Sequence, residues 1–374
     1  MNEGIRLRAR VVAAIQQWST MDWPLGSDDE SHLNELTIDV FNYQLRHNRP
    51  YAQFCSQQDV KTEDIYHWSQ VPAVVTDAFK VTRLACFPSH DTQCIFMTSG
   101  TTQGERGRHE MATLEVYRAA MAEPFRRCCQ PEPGPLTWVV LTPPFHEDPH
   151  SSLGFMVDEL WKVHAGPRSR RFFAGEEYDV EGAWQFLEEC SLQVDPVMLL
   201  GTAFAYIHLL DSSRGRRVKL PPGSRLMETG GFKGKTREVS RPELRQLMWE
   251  HLGLPETMCV GEYGMTELSS QLYEKSLRRE LGDTTAGIGY FAPPWLKVRV
   301  VDVMTLAPLP VGEPGLVQFF DLANVDSVCA ILTADLGRME QGGGVTLLGR
   351  AAGAQLRGCS LRMEEWLASR GDSR

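Results

Sequence analysis

Between residues 90 and 270, short β-rich runs alternate with helical segments, and this alternation limits the possible folds more than any other feature of the chain. The runs CIFMTS, WVVLTP, VMLLGT, RLMET and TMCVGEYG are rich in β-branched and large apolar residues. Between them, apolar residues recur at three- and four-residue spacing over 110–127, 151–163, 180–190, 203–210 and 241–251, as on one face of a helix. Strands separated by helices of this length are crossed over by them. The pattern therefore predicts an α/β fold on a doubly wound, mostly parallel sheet.

The flanks read differently. Helical periodicity over 6–18 and 30–47, broken by TMDWPLGSD, predicts a helical N-terminal part reaching to about residue 90. Beyond residue 285 the runs WLKVRVVDV, GLVQFF, VCAILT and VTLLG, punctuated by Pro and Gly, predict a small antiparallel β subdomain over 285–348. One large domain over 1–348 and a short segment over 349–374 complete the expected layout.

Composition removes several classes of function. With 38 Lys plus Arg against 48 Asp plus Glu the chain carries a formal charge of -10 and has no basic tract, which excludes coating nucleic acid. An apolar fraction of 42% with 23% charged residues is that of a globular chain. The most apolar stretch, 196–210, is broken by Gly201 and His208 and is too short to span a bilayer. The N-terminus, MNEGIRLRAR, lacks an apolar signal core. Nine cysteines show no CxxC or His-spaced cluster, so reduced thiols and a cytoplasmic location are expected.

Two loops carry chemistry. Thr98-Ser99-Gly100-Thr101-Thr102-Gln103-Gly104-Glu105-Arg106-Gly107-Arg108-His109 lies between an expected strand and an expected helix. Its hydroxyls and glycines can wrap N–H and O–H groups around phosphate oxygens, with Arg106 and Arg108 offsetting charge. Glu105 stands where a Walker loop needs its second Gly, so this is not that loop; an ordinary turn capping a helix is the alternative. The second loop, Gly261-Glu262-Tyr263-Gly264-Met265-Thr266-Glu267, follows the run TMCV, where a parallel strand should emerge. Ligands bind outside the carboxyl ends of such strands. Tyr263 can stack on a base, Thr266 can donate to a phosphate and Glu267 can hold Mg2+, a hard cation that prefers oxygen ligands. A turn with a solvated glutamate is the alternative reading.

In this order and at this separation, the two loops resemble the signature loops of adenylate-forming ligases. Downstream, LTADLGR, LGR and LRG, with Asp335 and Arg350 among them, resemble the ribose-binding, hinge and Arg-Gly motifs of those enzymes. The closest likeness is to the acyl-protein synthetases of the LuxE type, with phenylacetate-coenzyme A ligases more distant. It is carried by FNYQLRHNRPYAQFC, VPAVVTDAFK, TSGTT with GRH, SSLGFMVDEL, ETGGFKG, EYGMTE and GRAAGAQLRGCSL, over nearly the whole chain. The resemblance implies the adenylate-forming large domain with a much shortened C-terminal segment. It implies ATP and Mg2+ as cofactors and a carboxylic acid, a fatty acid by the same likeness, as substrate. It further implies Gly230 and Gly231 beside the adenine, Asp335 on the ribose, and an acyl reductase or carrier protein as partner. Gln103 stands where this loop usually has Gly, Arg106 near the usual Lys, and Ala351, Ala352 and Gly353 at the hinge. Only 24 residues follow Arg350 (374 less 350), where ligases of this kind carry a further domain of roughly a hundred residues with a catalytic Lys.

That short segment holds Cys359, in Leu356-Arg357-Gly358-Cys359-Ser360. A carboxylate does not acylate a thiol until it is activated, and an acyl-adenylate supplies the leaving group. Cys359 is the candidate nucleophile, with Arg357 favouring its thiolate; a buried packing cysteine is the alternative. His109 either assists proton transfer or orients the loop. Lys233 and Lys235 are a candidate substitute for the missing lysine, or a solvated loop. His146 and His150 have spacing that fits no closed zinc site. Two other functions remain open at this level: transfer to coenzyme A or a carrier protein, and a nucleotide-binding regulatory subunit without turnover.

Overall fold

A computed structural model describes residues 2–98, 106–174, 177–230, 239–284 and 286–351. The chain divides into two compact units. The first comprises Met1–Met121, Met265–Gln271 and Phe291–Arg374; the second comprises Ala122–Gly264 and Leu272–Tyr290.

The first unit opens on the helices Glu3–Ser19, Ser27–His47 and Arg49–Gln57. Leu7, Val11, Ala14, Ile15 and Trp18 repeat at helical spacing and are all buried, while the Asn2 side chain caps the first helix by accepting from Gly4 N at 3.2 Å. The second helix has Asp28, Asp29 and Glu30 in its first turn and Arg46 and His47 in its last, matching the helix dipole. The unit's sheet is an antiparallel meander of Leu296–Val301, Gly315–Asp321, Ala330–Met339 and Val345–Arg350. Val74–Val75 adds in parallel to Ile331 and Leu332. A separate hairpin pairs Cys94–Met97 with Arg108–Met111.

In the second unit the strands run in the order Leu272–Glu274, Cys259–Tyr263, Arg225–Thr229, Val197–Thr202, Thr137–Leu141 and Arg170–Arg171. All are parallel except the first, which pairs antiparallel with Cys259–Tyr263. The central strands are buried on both faces, as parallel sheets require. Crossover helices Ser152–His164, Val180–Ser191, Ala203–Asp211 and Arg241–Leu252 stand where the periodicity places them. Trp184, Leu187, Leu199, Tyr206, Leu226 and Met248 share the core of this unit. The last of these helices is capped by Ser240 and ends at Gly253, whose φ of +68° is the left-handed closure that glycine allows.

One expected element is different. The helix expected over 110–127 runs instead over Glu115–Cys129, and Arg108–Met111 before it is a strand. Helix-forming Glu110, Met111 and Ala112 extend the periodicity backwards, but pairing with Cys94–Met97 buries His109, Glu110 and Met111, and tertiary pairing outweighs propensity. Consequently CIFM is a hairpin strand, not a member of the parallel sheet, and the loop after it connects two antiparallel strands and does not open a helix. Among the described residues no helix is long and apolar enough to cross a membrane.

Candidate active site

The hydroxyl- and glycine-rich loop is closed at its base within the first unit. Thr98 N donates to Gly107 O at 2.9 Å, and Gly107 N donates to Thr98 Oγ1 at 2.9 Å. A Cβ on Gly107 would lie 2.9 Å from Thr98 Cγ2 and 3.5 Å from Phe79 Cβ, so this closure needs glycine. Ser99, Gly100, Thr101, Thr102 and Gln103, on the loop so closed, lie outside the described residues. Arg106 turns back on the loop: its Nε donates to Thr98 O at 2.6 Å and its Nη2 to Met97 O at 3.3 Å. Its guanidinium therefore fastens the loop's entry strand.

The return strand of this hairpin delivers His109 to the second signature loop. His109 Nδ1 lies 2.8 Å from Thr266 O, and a carbonyl partner requires that nitrogen to carry the proton. Burial lowers the imidazole pKa to about 4, so the ring is neutral at physiological pH and acts as a fixed donor to the turn. This geometry is that of an orienting residue.

Glu267, next along the turn, is buried, and burial raises its carboxyl pKa to about 7. Among the described residues no cation makes ion-pair contact with it; Lys80, Arg350 and Asp77 act on it through space. Asp335 and Arg350 are cross-strand partners on Ala330–Met339 and Val345–Arg350, with Arg350 Nε 3.2 Å from Asp335 Oδ1. Thr333 Oγ1 accepts from Asp335 N at 3.1 Å and donates to Val317 O at 2.8 Å, which fixes the bend carrying the carboxylate. Thr76 N donates to Leu332 O at 3.2 Å and Phe79 packs edge-on to His109 at 5.5 Å. The segment VVTDAFK is thereby tied to the same sheet. Lys80 and Asp77 on it were not singled out as site residues in the sequence; the signal available was a cation in a motif otherwise apolar.

The second unit holds the remaining candidates. Gly230 ends Arg225–Thr229 with φ +73°, and Gly231, Lys233 and Lys235 lie outside the described residues. Tyr263 ends the neighbouring parallel strand, its ring 6.0 Å from Tyr290, and Gly264 follows. Thr229 and Glu262 face each other in register, and the Thr229 hydroxyl donates to the Glu262 carboxyl. The turns at Gly230 and Tyr263 thus leave adjoining strands at their carboxyl ends, where α/β sheets bind ligands.

A buried charge network here had no counterpart in the sequence reading. Arg245 Nη2 donates to Glu228 Oε1 at 3.0 Å and also to Glu274; Arg241 Nε lies 3.2 Å from Glu228 and its guanidinium 5.0 Å from the centre of the Tyr290 ring. Glu274 Oε2 accepts from Gly261 N at 2.9 Å. A Cβ on Gly261 would meet Tyr290 Oη at 2.7 Å and Glu274 Oε2 at 2.8 Å. The readable signal was an acid inside an apolar strand run, in RLMET and QLYE, which must find a partner when buried.

The donor set suits a magnesium nucleotide. Among the described residues no three His, Cys, Asp or Glu side chains converge on a metal position. The buried Glu267 carboxyl, without a cation in contact, is a donor that a divalent ion would complete. Cys359 lies outside the described residues.

Comparison with known proteins bears on the family and the fold. The family model described as acyl-protein synthetase, LuxE, matches residues 15–368. The long-chain-fatty-acid–luciferin-component ligase of Vibrio harveyi is 23% identical over 377 residues, covering 96% of this chain and 92% of that protein. Among solved structures, 2-hydroxyisobutyryl-CoA ligase in its postadenylation state with 2-HIB-AMP superposes with a TM-score of 0.65 at 16% identity, over 87% of this chain and 69% of that one. ATP-bound MatB from Rhodopseudomonas palustris, at 19% identity and a TM-score of 0.49, shares 71% of this chain and 49% of its own, so the chain spans about half the length of that enzyme. The fold is that of the adenylate-forming ligases, and the chain belongs to the acyl-protein synthetase, LuxE, family.

Proposed function

We propose that this ligase activates a long-chain fatty acid with ATP and takes the acyl group onto Cys359 as a thioester. A carboxylate oxygen of the acid attacks the α-phosphorus, the bond to the bridging oxygen breaks and pyrophosphate leaves, giving acyl-AMP. The Cys359 thiolate then attacks the acyl carbonyl and AMP departs with the electron pair. A partner acyl reductase would consume the thioester. The observation that carries this reading is the hydrogen bond from His109 to Thr266, which joins the closed loop after Thr98 to the turn bearing Glu267.

On this reading Thr98, Ser99, Gly100, Thr101 and Thr102 surround the phosphates, with Arg106 fixing the loop. Asp335 and Arg350 take the ribose side, and Gly230, Gly231, Tyr263 and Gly264 the base. Glu267 would hold Mg2+, which when bound neutralises charge on the phosphates. The cysteines support the choice of nucleophile. The other eight are all described, and burial raises the thiol of every one, to about 11 at Cys94 and Cys128 and about 12 at Cys55 and Cys259. Such thiols are poor thiolate nucleophiles.

The test combines acid-dependent ATP–pyrophosphate exchange with intact-mass measurement before and after hydroxylamine, over a panel of acids. Cys359→Ser should keep exchange and lose the hydroxylamine-labile adduct, whereas Glu267→Gln should lower exchange by about 10²-fold or more. An adduct that survives Cys359→Ser, or coenzyme A thioester released over many turnovers without self-acylation, would overturn the assignment.

A further inference from the structure

Beyond the signature turn, the chain is gripped by one tetrapeptide, Asp321-Leu322-Ala323-Asn324, at the end of the strand Gly315–Asp321. Asp321 Oδ2 accepts from Ser269 N and from Ser270 N, each at 2.9 Å. Its Oδ1 accepts from Ser270 Oγ at 2.7 Å and from Ala323 N at 3.0 Å. Asn324 Nδ2 donates to Glu267 O at 2.8 Å and to Val328 O at 3.1 Å. Leu268 N donates to Met265 O at 3.1 Å, within the turn, and His109 holds Thr266 O. Every residue from Thr266 to Ser270 therefore has a backbone group fixed by a named partner.

Such a grip is not needed to fill the core. Asp321 is fully buried, and among the described residues no cation is paired with it. Burying a carboxylate in this way is unfavourable by several kcal/mol unless its hydrogen bonds offset the cost. What the carboxylate adds is a rigid backbone, because its two oxygens accept four donors from fixed directions. Asn324 makes the same addition at the carbonyl of Glu267 itself. No cation takes part in this holding among the described residues, so the Glu267 carboxyl is left without a paired cation.

We infer that Asp321 and Asn324 are positioning residues for Glu267: they fix the backbone from which its carboxyl meets the metal of a bound magnesium nucleotide. The inference rests on the role proposed above for Glu267. Neither residue touches substrate in this assignment; both act through the turn.

The experiment measures ATP affinity by calorimetry on the full chain, once with Mg2+ and once with EDTA, and takes the ratio. Wild type should bind ATP more tightly with Mg2+, and Glu267→Gln should lose that gain. Asn324→Ala and Asp321→Asn should keep the affinity in EDTA within two-fold and reduce the Mg2+ gain by roughly 10-fold, the usual effect of removing a group that orients a metal ligand. Half-saturation of exchange by Mg2+ should rise in parallel. A Mg2+ gain within two-fold of wild type in both variants overturns the inference. So does an equal loss of affinity with and without Mg2+, which would mark a general structural role. Where Asp321→Asn fails to fold, as judged by its melting curve, Asn324→Ala decides, since it removes only two donated bonds. If Glu267→Gln itself leaves the Mg2+ gain intact, the metal role of Glu267 falls first, an outcome separable from the others.

Discussion

Two sets of carboxylates, one in each unit, are held in opposite ways. In the second, Glu228 and Glu274 are clamped by Arg241 and Arg245, so their charge is cancelled where it stands. In the first, the Glu267 backbone is held by Asn324 and the Thr266 turn, and its carboxyl has no ion-pair partner among the described residues. The electrostatic results differ accordingly. Opposite charges hold the Arg245 guanidinium well above its ordinary pKa despite burial, whereas burial, as the largest influence, drives Glu267 to about 7. A carboxylate that organises a sheet edge can be neutralised permanently. One that is to receive a cation must be left incomplete, and the fold then has to hold it by other means.

The comparison breaks most sharply at Arg245. Replacing it with Met leaves Glu228 and Glu274 buried with only Arg241 nearby, and should destabilise the protein by about 3–5 kcal/mol in denaturant unfolding. Lys at the same position should recover only part of this, because one ammonium cannot span two carboxylates as the guanidinium fork does. If Arg245→Met unfolds like wild type, the network is not what holds the Gly261 edge.

Glu262 tests whether location or compensation governs these carboxyls. It sits in the arginine-rich unit, yet its bond from Thr229 is neutral, and burial raises its pKa to about 7. The folded state therefore prefers the protonated form. Its contribution to stability is complete below the unfolded value near 4.5 and is lost as pH rises through about 7. Glu262→Gln, uncharged throughout, should be more stable than wild type at pH 8 by on the order of 3 kcal/mol, with the difference shrinking toward pH 5. A pH-independent difference in unfolding free energy would place a compensating cation beside Glu262.

The smallest effect is expected at Gly230. Its φ of +73° favours glycine, but among the described residues nothing lies within 4 Å of where a Cβ would stand, so Gly230→Ala should cost only about 1 kcal/mol of stability. A larger loss would mean that this turn is packed more tightly than its described surroundings indicate.

Much of this was legible in the sequence. The β-rich apolar runs and the helical segments between them, from WVVLTP to TMCVGEYG, predict the parallel sheet and its crossovers, because a strand buried on both faces must be apolar throughout. The Pro- and Gly-punctuated runs after residue 285 predict the antiparallel meander for a similar reason. The loop at Thr98 and the turn ending in Glu267 stand out by residue type, and their order suffices for the family resemblance. What residue type could not settle is the partner of each polar group. Glu110 and Met111, in the strand Arg108–Met111, are read as the start of a helix because the pairing with Cys94–Met97 is a contact between segments. His109 as a donor to Thr266, Asp321 as acceptor for Ser269 and Ser270, and Arg245 between two glutamates depend on separations of 157, 52, 51, 17 and 29 residues.

The sequence by itself determined the succession of elements and the chemistry available on their loops, since both follow from short-range pattern. Only the tertiary structure decided which buried charges are neutralised and which are kept open, because that depends on the distance and solvation of groups far apart in the chain.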